Sequence, residues 1–427
     1  MTRYEETLSH LSPVWMPYTH IVSEKAEGCW VYDISGEKYL DFTCGIGVTN
    51  TGHCHPAVVK AIQDQAAKFI HAQMNLVKHK PIIELIDELQ TIVPEQIDCF
   101  FFTNSGAEAI EGAIKLARHA TKRTNIIVFQ GSFHGRTVGT MSLTTSKTIY
   151  RVGYQPLMAG VFVAPFPYAY RYGWDEETTS RWCLEELEFL LLSQTAPEET
   201  AAIFIEPVLG EGGYVVPPKS FMQGLRKLCD QHGILLVCDE VQAGFGRTGK
   251  WFSFQHFDIV PDIMTVAKGL ASGMPLAGVF SRKELMEKWV PGSHGGTYGG
   301  NAVAAAAAVA TIRAMKSEKM LENAVERGAQ LKRGLQHLQE EFPVIGDVRG
   351  LGLMIGSEFR TPDRKPDKKT AKDVVHACLD KKLMLLTCGT WDNTIRWIPP
   401  LIVSEEEIDL ALSIFHDSLK EVVPRSA

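Results

Sequence analysis

Two hydrophobic rhythms alternate along the chain. Short apolar runs bounded by turn residues occupy positions 99–102, 126–129, 160–164, 201–205, 234–238, 262–267 and 276–280. Runs of this length, without a polar face, are predicted to be strands buried on both sides. Between them, apolar residues recur every three to four positions, as from Asn104 to about Ala120 and across 220–232, which predicts helices. Such alternation argues for a mostly parallel sheet covered by helices on both faces.

The flanks read differently. Segments 29–33 and 38–42 surround Ile34-Ser-Gly-Glu37, a hairpin signal, and a helix is predicted over 56–70 behind Pro56. An alanine-rich helix is predicted at 301–312. From about Met320 the pattern changes to charged amphipathic helices, 321–341 and 370–381, with short strands around 351–359 and 394–398. Residues 361–369 mix prolines with charges and read as an exposed loop. The expected organisation is an α/β fold: a large domain at 51–319 with a mostly parallel, mixed sheet, and a smaller α+β domain built from an N-terminal arm and small sheet (1–50) and the C-terminal part (320–427).

Composition narrows the function classes. The 427 residues suit a large domain with a smaller companion. With 43 basic and 50 acidic residues the net charge is -7, which offers no footprint for nucleic acid or an anionic membrane. The nine cysteines form no C-x-x-C pair, and several sit inside apolar runs, as expected in a reducing compartment. The polar start, Met1-Thr-Arg-Tyr-Glu-Glu, has no signal-peptide core, and the alanine-rich helix is far short of the ~20 residues a membrane span needs. The expectation is a cytoplasmic protein. His53-Cys54-His55 lacks a partner pair at zinc spacing, so it is read as a turn before a helix and no metal is expected.

Candidate chemistry lies at the strand ends, where ligands of parallel sheets bind. The run 234–238 ends on Asp239, and 262–267 ends on Lys268. Singly, each is read as a charged residue closing a strand. Together they suit pyridoxal 5'-phosphate, the lysine holding its aldehyde and the aspartate keeping its ring nitrogen protonated. That protonation needs a pKa rise of ~2 units, roughly 3 kcal/mol, which a buried carboxylate can supply. Ser105-Gly106-Ala107, opening a helix, is a candidate phosphate cup. Glu206 and Glu211, on a glycine-rich loop after another strand, are expected to face the same cleft as Asp239.

Several motifs together resemble the class III aminotransferases, a fold type I pyridoxal phosphate family, most closely the 4-aminobutyrate aminotransferase and ω-transaminase branch. They are Thr51-Gly-His-x-His-Pro56, Ser105-Gly-Ala-Glu108, Phe133-His-Gly-Arg-Thr137, Glu206-Pro-Val-x-Gly-Glu-Gly-Gly213, Asp239-Glu-Val-Gln242, Gly244-x-Gly-Arg-Thr-Gly249, Ala267-Lys-Gly269, Gly296-Thr-Tyr298 and Asp347-Val-Arg-Gly-Leu-Gly352. The resemblance implies that Lys268 forms the Schiff base and shuttles the substrate proton, and that Asp239 pairs with the pyridinium. It implies Ser105, Gly106 and Ala107 at the phosphate, with Thr297 reaching it from a neighbouring subunit. Phe133 and Val241 would cover the two ring faces, Gln242 would bond the ring oxygen, and His134 and Glu206 would complete the cofactor site. Arg136 would grip the distal carboxylate of the donor and Arg396 the α-carboxylate of the keto acid, with Glu211 neutralising Arg396 when the bound amine has no α-carboxylate and Ile46 lining the pocket.

The implied activity is a ping-pong transamination from an ω-amino acid or amine to a keto acid such as 2-oxoglutarate or pyruvate. The implied assembly is a homodimer with shared active sites, or a tetramer of such dimers. The chain departs from the 4-aminobutyrate pattern at Trp397, Pro399-Pro400 and Trp391-Asp392, and Trp15-Met-Pro-Tyr18 looks more like the broader ω-amine transaminases. Two rivals follow: an amino-acid racemase or epimerase with the same cofactor, and a cofactor-binding protein without catalysis.

Overall fold

Seven strands form the central sheet of the computed structural model, which describes residues 3–423. Met1, Thr2 and residues 424–427, at the outer ends of the two segments assigned to the small domain, lie outside the described residues. The strands are β1 (Cys99–Thr103), β2 (Asn125–Phe129), β3 (Val161–Ala164), β4 (Thr200–Ile205), β5 (Leu235–Asp239), β6 (Ile263–Val266) and β7 (Ala277–Ser281). Their spatial order is β1-β7-β6-β5-β4-β2-β3. All pairings are parallel except those of β7, which runs antiparallel to both β1 and β6. Only residues 267–276 connect β6 to β7, too short a stretch for the helical crossover that a parallel pair requires.

Every residue of β4, β5, β6 and β7 is buried. The two-residue period of the strands divides them between two cores. Ile203, Ile205, Leu236, Cys238, Met264 and Val266 join one, with Phe221 and Leu225 of helix Lys219–His232. Ala202, Phe204, Leu235, Val237, Ile263 and Val279 join the other, against Ile110, Ala113 and Ala117 of helix Gly106–Thr121. Continuous apolar runs in the sequence are the direct result of this two-sided burial.

Two four-stranded sheets flank this layer. Ser23–Glu27, Trp30–Asp33 and Lys38–Asp41 form an antiparallel meander, extended by a C-terminal strand, Leu383–Met384, lying parallel to Lys38–Asp41. Ile345–Leu351, Met354–Phe359, Thr394–Trp397 and Leu386–Cys388 form the second, all antiparallel.

Several boundaries differ from those predicted. The helix expected over 56–70 is Pro56–Ala66, and the alanine-rich helix runs further, as Ala302–Ser317. The strand region around 351–359 is a hairpin that begins at Ile345. The end of the expected loop 361–369 is already helical, because the Asp367 side chain accepts the Thr370 N–H and caps Lys368–Asp380. Helices Lys80–Gln90, Glu176–Ser193 and Glu405–Val422 are additional to those predicted. Among the described residues no helix is long and apolar enough to cross a membrane.

Candidate active site

Strands β5 and β6 are parallel neighbours, with Asp239 opposite Thr265, so Asp239 and Lys268 leave the sheet side by side at its carboxyl edge. Lys268 takes a left-handed backbone, φ +46°, an unusual state for a side chain with a Cβ. The next residue must be glycine, because a Cβ there would overlap the Asn50 side-chain amide. The Lys268 Nζ has no hydrogen-bond partner among the described residues. Burial lowers its amine to about 8; the carboxylate of Asp239 opposes that shift and the charge of Arg396 adds to it.

Asp239 is 4 % exposed and fully engaged. Its Oδ2 lies 2.7 Å from Nδ1 of His134, and its Oδ1 accepts from the Val241 N–H at 3.0 Å and the Thr265 hydroxyl at 3.3 Å. Burial disfavours the imidazolium of His134, but the bond to Asp239 outweighs it and holds the ring above its ordinary pKa. His134 Nε2 and Gln242 Oε1 are buried without a hydrogen-bond partner among the described residues. Native interiors seldom leave such atoms unpaired.

Helix Gly106–Thr121 points its N-terminus into the same region. The Ser105 hydroxyl is spent on the cap, accepting from the Glu108 N–H at 3.2 Å. The amides of Gly106 and Ala107 have no carbonyl one turn behind them and remain available to an anion. A Cβ on Gly106 would lie 3.0 Å from Val241 Cγ1, so the glycine lets the helix end close against Val241. Glu206 ties two loops together: Oε1 accepts from the Phe133 N–H at 2.8 Å and Oε2 from the Gly210 N–H at 2.9 Å. Burial, with a contribution from the Asp239 charge, raises its carboxyl to about 7.

A chain of charges occupies the other side. Arg396 Nη1, on a strand residue 1 % exposed, meets Glu211 Oε2 at 2.9 Å. Glu211 Oε1 is held by Lys147 Nζ at 3.1 Å and by the Tyr150 hydroxyl at 3.0 Å. Lys147 also meets Asp392 Oδ1 at 2.5 Å, whose Oδ2 accepts from Lys368 at 2.8 Å. Burial works against the Glu211 carboxylate, but Arg396 and Lys147 together hold its pKa below the ordinary value. The exposed Arg136 guanidinium lies 4.8 Å from the centre of the Tyr150 ring and 5.8 Å from that of Phe133. It has no carboxylate partner among the described residues.

Ile46, φ +66°, stands on the turn Cys44–Gly47. A Cβ on Gly47 would lie 2.7 Å from Ile398 and 3.6 Å from Gln242, so this turn sits between the Arg396 strand and the Gln242 loop. Thr297 is exposed on the loop before Ala302–Ser317 and forms no hydrogen bond or ion pair with the other site residues. His53 contacts Asp41 at 2.8 Å, and His55 caps the Pro56 helix through Nδ1. Lys147, Tyr150 and Thr265 are not among the residues expected at the site, and Asp392 is expected only as part of the departure at Trp391-Asp392. Lys147 and Tyr150 lie 64 and 61 residues from Glu211 in sequence, and no local pattern announces them.

A mixed sheet with a lysine and a buried aspartate at adjoining strand ends, beside a glycine-opened helix, is consistent with a fold type I pyridoxal phosphate enzyme. Residues 11–419 match the Aminotransferase class-III family, and the chain belongs to it. Members of this family are pyridoxal phosphate-dependent. The chain is 41% identical over 405 residues to the 5-aminovalerate aminotransferase of Pseudomonas aeruginosa, covering 94% of each. It is also 41% identical over 404 residues to the 4-aminobutyrate aminotransferase of Escherichia coli, again covering 94% of each. Among solved structures it resembles an amine transaminase from an uncultivated Pseudomonas species in its PLP-bound form, with a TM-score of 0.91, 28% identity and coverage of 96% and 99% of the two chains. The protein is thus a class III aminotransferase, acting on a small-molecule amino donor and a keto-acid acceptor.

Proposed function

We propose that the donor is an ω-amino acid of the 4-aminobutyrate kind, that the acceptor is a keto acid such as 2-oxoglutarate or pyruvate, and that the two react in successive half-reactions. The Arg396–Glu211 contact at 2.9 Å, with an Arg136 guanidinium that has no carboxylate partner among the described residues, carries this reading. A donor without an α-carboxylate binds with Arg396 closed on Glu211 and its distal carboxylate on Arg136. A keto acid needs the α-carboxylate contact and draws Arg396 off Glu211. Arginine suits both roles because its donors fork onto a carboxylate.

Lys268 Nζ is the amine that holds the cofactor, and when freed it moves the proton at the substrate carbon bearing nitrogen. With a pKa of about 8, a useful fraction is uncharged near neutrality. Asp239 keeps a proton on the ring nitrogen, and His134 orients Asp239. The amides of Gly106 and Ala107 hold the phosphate, with Ser105 shaping the cup. Phe133 and Val241 cover the ring faces, Gln242 bonds the ring oxygen, Glu206 braces the surrounding loops and Ile46 borders the substrate. Pyridoxal phosphate, when bound, supplies the electron sink. Thr297 completes the phosphate site of a partner in a homodimer, and residues 1–50 with 320–427 form the smaller domain around 51–319.

The visible spectrum of the cofactor-loaded protein tests this. Adding 4-aminobutyrate or 5-aminovalerate without keto acid should bleach the yellow band, and 2-oxoglutarate should restore it. A band that survives both amines rules out this donor class. Deuterium entering an α-amino acid at Cα without net keto acid would instead favour racemisation.

A further inference from the structure

We propose that Lys147 is a positioning residue that sets how readily Arg396 is released to an incoming α-carboxylate, and so tunes the acceptor half-reaction. The inference rests on the roles given above to Arg396 and Glu211. Its ground is the division of the Glu211 carboxylate: Oε2 faces Arg396 at 2.9 Å, while Oε1 faces Lys147 at 3.1 Å and Tyr150 at 3.0 Å. Glu211 is 8 % exposed. If Arg396 were its sole cation, moving Arg396 onto a substrate would strand a buried carboxylate, a strongly unfavourable outcome. With Lys147 in place the anion keeps a cation throughout the exchange. Lys147 thereby lowers the penalty for opening the pair without touching the substrate.

Lys147 is itself shared. Asp392 holds it at 2.5 Å from the far side, and Lys368 offsets Asp392 at 2.8 Å. Asp392 therefore competes with Glu211 for the Lys147 charge. Two substitutions in one relay should move the acceptor in opposite directions. Lys147→Met leaves Glu211 dependent on Arg396 and tightens that pair. Asp392→Asn gives the whole Lys147 charge to Glu211 and loosens it. Tyr150 extends the relay, because the ring whose hydroxyl meets Glu211 also lies under the Arg136 guanidinium.

The test measures the donor half-reaction with 4-aminobutyrate and the acceptor half-reaction with 2-oxoglutarate, on the cofactor-loaded enzyme. Lys147→Met should raise the KM for 2-oxoglutarate about tenfold while kcat/KM for the donor changes less than about twofold. Lys147→Arg should restore the acceptor KM to within about threefold of the parent, since it keeps the charge. Asp392→Asn, at a partly exposed site, should lower the acceptor KM about twofold to threefold. A parallel loss of both half-reactions in Lys147→Met would show a mere loop brace and overturn the proposal. So would an acceptor KM that rises in Asp392→Asn. Arg396→Ala separates the two levels: if it raises the acceptor KM and Lys147→Met does not, only the Lys147 inference falls. If Arg396→Ala leaves the acceptor KM unchanged, the assignment of Arg396 has failed and this inference fails with it.

Discussion

His134 Nδ1 and Asp239 Oδ2 lie 2.7 Å apart with both residues buried, so the aspartate proposed to pair with the cofactor ring is held in place by an imidazole. Asp239→Asn keeps the shape and hydrogen-bonding reach of the side chain but removes its charge. Holding a ring proton through ~2 pKa units is worth roughly 3 kcal/mol, so kcat should fall at least about a hundredfold in both half-reactions. Stopped-flow absorbance of each half-reaction reads this; a loss below about tenfold would mean another group protonates the ring.

Lys268 predicts the pH dependence of cofactor loading. Burial disfavours its ammonium form and brings the amine to about 8, and only the uncharged amine can attack an aldehyde. Loading of cofactor-free protein should therefore accelerate with rising pH, by about tenfold from pH 7 to pH 9, and level off above that. The rate of growth of the yellow band measures it. Lys268→Ala should show no growth and no turnover, and a profile flat from pH 7 to 9 contradicts the lowered pKa.

Gly135, between His134 and Arg136, adopts φ +130°, and a Cβ there would lie 2.6 Å from the Thr140 hydroxyl and 2.9 Å from Ala107. Gly135→Ala should cost about 3 kcal/mol, combining backbone strain with overpacking. Thermal unfolding of the purified variant tests it. An unchanged Tm would show that this turn can relax.

Thr297 is exposed and unconnected to the other site residues within one chain, which fits its proposed service to a partner. Thr297→Glu would set a carboxylate against the phosphate and should inactivate the enzyme, as should Lys268→Ala. Co-refolding the two inactive variants should recover about a quarter of the parent activity, because half the dimers are mixed and each mixed dimer has one intact site. No recovery would place Thr297 at its own subunit's site or at none.

The central sheet was legible because two-sided burial writes an unbroken apolar run, as in 201–205 and 234–238. The edge strand Ser23–Glu27 is mostly exposed and polar, so it left no such mark, and Leu383–Met384 is too short to carry a period. Glu405–Val422 does carry the signal of a helix start, since Ser404 and Glu407, three residues apart, form a reciprocal cap. Asp239 and Lys268 could be read because strand ends locate chemistry. Lys147, Tyr150 and Asp392 could not, because their meeting at Glu211 is a product of tertiary packing across distant segments.

Lys268 holds its left-handed backbone without the freedom of glycine, and that posture carries a penalty of order 1 kcal/mol. Any residue relieved of the strain, glycine above all, would sit more comfortably at this turn while being unable to react. With the chemistry proposed for Lys268, stability and function therefore pull against each other at this one position.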